Sequence, residues 1–109
     1  MIIDFEEMIE AANPEFKGGK LTFFNKAYND GFNKIMTGRL EPGASIGLHT
    51  HFNESEIIYI LEGSGTVLFD GEEYPIRPSQ CHYCPKGHDH SLINSGGVDL
   101  RFFSVITTQ

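Results

Sequence analysis

Apolar and polar residues follow two different periods along this chain. Near the start, Phe5, Met8, Ile9 and Ala12 recur at helical spacing and form one apolar face. Asp4 stands before them as an N-cap, and Glu7 three residues on completes a capping box. Asn13-Pro14 closes the segment, because the residue before proline avoids the helical region. The pattern predicts a short helix over residues 4–13. Beyond that point the period changes to two, and strand-like runs follow. They are Lys20 to Lys26, Asn33 to Leu40, Ile46 to His51, Glu56 to Leu61, Thr66 to Phe69, Glu72 to Ile76, Gln80 to Cys84, Ser91 to Ile93 and Val98 to Ile106.

Turn residues divide these runs. "YNDG", "EPG", "EGSG", "PKG" and "NSGG" each interrupt the alternation, and Asp70-Gly71 favours a two-residue hairpin turn. About nine short strands at close spacing predict an all-β sandwich or barrel, antiparallel throughout. Closing the barrel removes exposed sheet edges. The expected organisation is one domain over residues 1–109, with the barrel from about 20 to 107.

Composition agrees with that class. The 12 glycines and nine phenylalanines suit many turns and aromatic filling. Fifteen acids against eight bases give a net charge of −7, which argues against nucleic acid and against anionic lipid as partners. No apolar run approaches the ~20 residues of a membrane span. The acidic start "MIIDFEEMIE" lacks the basic region of a signal peptide, so a cytoplasmic location is expected, with both cysteines reduced.

The chemistry concentrates in "HTHFNESE", His49 to Glu56. On a strand, side chains at i and i+2 share a face, so His49 and His51 can converge on one ion. Glu56 opens the next strand and can fold back onto the same ion. Glu54 is the rival carboxylate, but it lies mid-loop, where holding a ligand costs ordering entropy. All five histidines fall between positions 49 and 90. His90, re-entering a strand after "PKGHD", is the best fourth ligand. His82 alternates with Cys84 onto one face; it is read as a hydrogen-bonded core histidine, with a weaker alternative as catalytic acid or base. Cys81 and Cys84, three apart on a strand, point to opposite faces and cannot form a disulfide.

These residues carry a family resemblance. Gly43, five residues, His49-Thr50-His51, four residues, Glu56, six residues and Gly63 match the first motif of the cupins. Pro85-Lys86-Gly87, two residues, His90, three residues and Asn94 match the second. The second motif's leading glycine is replaced by Ser79, and Gln80 takes the usual acidic position after it. The chain therefore resembles a small single-domain cupin, an antiparallel jelly roll. The resemblance implies that His49, His51, Glu56 and His90 bind one divalent transition metal, Fe, Mn, Ni, Co or Zn. Such a nitrogen-rich set does not suit Mg²⁺ or Ca²⁺. The resemblance also implies a homodimer. Isomerase, lyase or dioxygenase chemistry on a small polar metabolite is the expected function; the alternative is a non-catalytic barrel that binds a sugar or other metabolite.

Overall fold

A computed structural model describes residues 1–109. Ten antiparallel strands form two layers: β1 (Ala11–Pro14), β2 (Thr22–Asn29), β3 (Asn33–Leu40), β4 (Ser45–Thr50), β5 (Ser55–Glu62), β6 (Gly65–Phe69), β7 (Glu72–Ile76), β8 (Cys81–Cys84), β9 (Asp89–Ile93) and β10 (Leu100–Thr107). One sheet has six strands in the order β1-β2-β3-β10-β5-β8. The other has four, in the order β4-β9-β6-β7.

The alternation of the sequence becomes the two faces of each sheet. Phe23, Met36, Leu40, Ile58, Ile60, Leu100 and Phe102 point inward from the six-stranded sheet. Ile46, Val67, Ile76 and Leu92 meet them from the four-stranded one, with Ala44 beside β4. Phe23 and Phe102 stack at 5.9 Å. Gly38 makes room for them, since a Cβ there would lie 2.4 Å from the Phe102 ring. Asp70 and Gly71 both take positive φ, 49° and 84°, which gives the β6–β7 hairpin the tight turn that Asp-Gly predicts.

The N-terminal helix is corrected. Only a 3-10 turn forms, at Phe5–Glu7, and residues 11–14 pair with β2 instead. Asp4 does cap the turn, accepting from the Glu6 amide at 3.0 Å. A ten-residue helix is marginal without a surface to pack on. Here Phe5 meets Phe103 edge-on while Ile9 stays 94% exposed, so the apolar face has no groove to fill. Asn13 donates to the Phe23 carbonyl, and that contact, with the ladder beside it, favours the extended form.

The second motif's missing glycine has a structural meaning. Ser79 adopts φ 72°, the left-handed region where glycine is favoured. Its amide donates to the Ile60 carbonyl at 3.2 Å, which holds the turn before β8 in place.

Candidate metal centre

The site is assembled from both sheets. His49 on β4 pairs directly with His90 on β9. Between Ile46 and His49 the register shifts by one residue, a bulge that re-aims the end of β4. Strand β4 ends at Thr50, so His51 lies just past it on the segment that crosses to β5. His51 is anchored there by its backbone, donating to the His88 carbonyl and accepting from Gly87. Glu56, second residue of β5, enters from the six-stranded sheet opposite Ile106 of β10.

Four side-chain atoms converge. The Nε2 atoms of His49, His51 and His90 lie 2.9–3.2 Å from one another. Glu56 Oε1 is 2.9 Å from Nε2 of His51 and 3.1 Å from Nε2 of His90. The three rings meet edge to face, and His51, Glu56 and His90 are buried.

The outer contacts fix which nitrogen carries the proton. His49 Nδ1 donates to the Gly47 carbonyl at 2.7 Å. His51 Nδ1 faces Glu54 Oε1 at 3.2 Å. His90 Nδ1 faces Nε2 of His82 at 3.0 Å. Each ring therefore has an acceptor at Nδ1, and its Nε2 presents a lone pair to the centre. Three lone pairs and a carboxylate cannot satisfy one another by hydrogen bonding; they need a cation, either a metal ion or, in its place, a proton on Nε2 shared with Glu56. Ligands about 2.1 Å from an ion and at right angles stand about 3.0 Å apart, the spacing found among these atoms. The residues present fit a divalent transition metal.

Electrostatics agree. Burial opposes the charge on Glu56 and is the largest single influence, but hydrogen bonds from His51, His90 and Ser104 together hold its carboxyl well below the usual carboxylate range. Ser104 donates to Oε2 at 2.6 Å, leaving Oε1 for the centre. Glu56 in turn raises the pKa of His51, whereas burial lowers that of His49.

The structure thus brings together His49, His51, Glu56 and His90, and places Glu54 on the far nitrogen of His51. His82 does not line the cavity that contains the cluster; it backs His90 and faces a separate groove beside Phe69 and Tyr83. Cys81 is exposed, Cys84 is buried, and both thiols are free. The sequence reading missed Ser104 and the Gly47 carbonyl. Neither has a local signal, because each reaches the site through strand pairing or backbone geometry.

His49, His51 and Glu56 of the cluster line a cavity of about 330 Å³, with His90 behind them. Phe16, Phe23, Met36, Ile46 and Ile106 give it apolar walls. The β2–β3 turn, with Phe32 at its tip, borders the opening.

Residues 36–106 match the profile of the cupin domain. The chain belongs to the cupin family. An oxalate-binding protein of Thermotoga maritima is 43% identical over 68 residues, which are 62% of this chain and 56% of that protein. The match thus spans about half the length of that curated relative. The crystal structure of a predicted oxalate decarboxylase from Thermotoga maritima superposes with a TM-score of 0.94 at 30% identity, over 100% of both chains. A sugar phosphate isomerase of the cupin superfamily from Silicibacter pomeroyi shares the fold, with a TM-score of 0.81 at 22% identity over 100% of this chain and 76% of that one. Cupins commonly bind a metal, and this one carries a cluster of three histidines and a glutamate that could hold one. No helix is long and apolar enough to cross a membrane.

Proposed function

We propose that this cupin holds one divalent transition metal through His49, His51, Glu56 and His90, and uses it to bind and transform a small polar metabolite. The observation that carries this reading is the convergence of three imidazole lone pairs and Glu56 Oε1 at the inner end of an open cavity. When bound, the metal supplies Lewis-acid polarisation of a carbonyl or hydroxyl oxygen. The chain does the rest. Gly47, Glu54 and His82 hold the three imidazoles in the tautomer that points Nε2 inward. Ser104 orients Glu56. Apolar side chains of Phe16, Phe23, Met36, Ile46 and Ile106 flank the inner end, and their low polarity strengthens electrostatic contacts beside them. Isomerase, lyase or dioxygenase chemistry fits such a site.

A second reading is binding without turnover. It is favoured by the cavity's shortage of free bases: Glu54 and Glu56 are engaged by His51, and His82 lies outside. The name of the Thermotoga oxalate-binding relative points the same way. One experiment separates the two. Protein purified without tag or chelator is analysed for metal, then incubated with oxalate, keto acids and sugar phosphates. Metal-dependent conversion supports the enzyme. Ligands that raise Tm but are recovered unchanged favour the binding module. No metal, either as purified or after reconstitution, sinks both.

The reading includes a homodimer in the cytoplasm. Ile57, Tyr59 and Leu61 stand 40%, 41% and 47% exposed on the outer face of β5, with Tyr83 at 56% beside them on β8. A contiguous apolar row of this kind suits a partner surface. Sedimentation of the wild type against Tyr59→Glu tests it: a dimer that the substitution splits is expected, and a monomeric wild type overturns it. Cell fractionation tests the location.

A further inference from the structure

The cavity contains two charges that a metal centre alone does not need. Lys17 and Lys34 both line it, and neither forms an ion pair. The other charged groups of the lining are accounted for, since Glu54 and Glu56 face His51. The lysines come from different segments, Lys17 from the 3-10 turn Phe16–Gly18 and Lys34 from the start of β3. Lys17 is exposed, Lys34 and His49 are half-buried, and His51 and Glu56 are buried, so the lining runs from Lys17 at the outer end to His51 and Glu56 at the inner.

The backbone under Lys17 is specialised. Lys17 has φ 56° and ψ 28°, a left-handed conformation that a non-glycine residue seldom adopts. Close packing enforces it. A Cβ on Gly47 would lie 2.0 Å from the Lys17 carbonyl oxygen, and one on Gly19 would lie 2.1 Å from that of Ser45. The turn is pressed against β4, the strand that carries His49, and this fixes Lys17 relative to the centre.

Lys17 Nζ rests 5.6 Å from the centre of the Phe16 ring, and no carboxylate neutralises either lysine. In a chain of net charge −7, two such cations at one opening make that opening the place where an anion is drawn in. The cavity's 330 Å³ corresponds to about eleven water volumes at ~30 Å³ each, which leaves room for a ligand body between the two ends. We propose that the physiological ligand carries two anionic groups: a hydroxy or keto acid whose one end chelates the metal and whose remote anionic group, carboxylate or phosphate, meets Lys17 and Lys34. This rests on the metal-centre reading above.

The test is calorimetry on the full chain loaded with Mn²⁺, using pairs that share a chelating end: malate against lactate, and phosphoglycerate against glycerate. The ligand with the second anionic group is expected to bind about tenfold tighter in at least one pair, as suits a charge-assisted contact, and raised ionic strength should erode the gain. Whichever pair shows it decides between carboxylate and phosphate. The variant Lys17→Gln/Lys34→Gln should lose the preference while keeping its Mn²⁺ content and its affinity for lactate and glycerate. Equal affinities within both pairs, or a preference that survives in the variant, overturns the proposal and leaves the metal reading standing. Failure to take up Mn²⁺ overturns both.

Discussion

Nε2 of His82 lies 3.0 Å from Nδ1 of His90, so one histidine sets the tautomer of the other. Burial, reinforced by the neighbouring His90, pushes the pKa of His82 down to about 4. The His82 ring is therefore neutral near pH 7, and its Nε2 is free to accept. An acceptor at that point keeps the His90 proton on Nδ1 and its lone pair on Nε2, facing the cluster. The two residues sit on β8 and β9, which belong to different sheets, and the contact ties the centre to the strand behind it.

Replacing His82 by phenylalanine removes that acceptor while keeping an aromatic ring against Phe69. Metal affinity is expected to fall about tenfold or more, in the range of outer contacts to a metal-bound imidazole, with the fold retained. His82→Asn, which restores a side-chain acceptor, should recover part of the loss. Competition with a chromophoric chelator measures both. Affinity unchanged in His82→Phe would remove the positioning role.

The same groups set the acid stability of the metal-free protein. The ordinary histidine value is 6.5, and that of His82 is about 4 when folded. Between the two, the unfolded chain binds more protons, so stability rises with pH across that window. Glu56, depressed below its ordinary 4.5, contributes stability that is present above that value and lost as pH falls further. His51 acts in the opposite sense: its pKa is raised above 6.5, so its contribution is full below 6.5 and is lost as pH rises through the folded value. Chelator-treated protein should therefore show Tm climbing from pH 4 toward 6.5 and then levelling or declining. The acid limb should be shallower in His82→Phe. An identical limb in the two proteins would contradict the assignment.

How much of this was legible in the sequence depends on the range of the signal. The strands were readable because one face of each is buried, which forces alternation, and the β6–β7 hairpin because Asp-Gly supplies its turn. The cluster residues were readable because two of them are two apart and the others sit at motif spacing. The N-terminal segment misled, because helical spacing describes only what a helix would present, and here no surface receives it; β2 offers ladder hydrogen bonds instead. The supports were invisible for a related reason. Ser104 is 48 residues from Glu56, and only the β5–β10 pairing brings them to 2.6 Å.

Ser79 offers a simple gain in stability. Its φ of 72° costs a residue with a Cβ about 1 kcal/mol, and glycine takes the same turn without that strain. Ser79→Gly gives back part of the gain in unfolded-state entropy, so a net stabilisation of about 0.5 kcal/mol is expected by urea titration. No side-chain hydrogen bond of Ser79 is lost, since only its backbone is engaged. A destabilised variant would mean that the serine hydroxyl has a role that this geometry does not include.

The two glutamates beside His51 make opposite predictions. Glu56 Oε1 lies 2.9 Å from Nε2 on the inner side, and Glu54 Oε1 lies 3.2 Å from Nδ1 on the outer side. Glu56→Gln removes the anion of the centre and leaves a buried amide beside three imidazoles. Metal content should drop to near zero, and the pKa of His51 should fall, because its main support is the Glu56 hydrogen bond. Glu54 is 43% exposed at its side chain and acts through the ring. Glu54→Gln keeps an acceptor at Nδ1, so metal content should be retained and affinity should fall by about tenfold at most. In the wild type, the metal competes with the proton shared by His51 and Glu56, and affinity should rise with pH until His51 is fully deprotonated. Glu54→Gln, which leaves the Glu56 hydrogen bond in place, should keep that rise. Metal analysis of both variants, with binding isotherms for wild type and Glu54→Gln from pH 5 to 8, distinguishes the roles; full metal content in Glu56→Gln would exchange them.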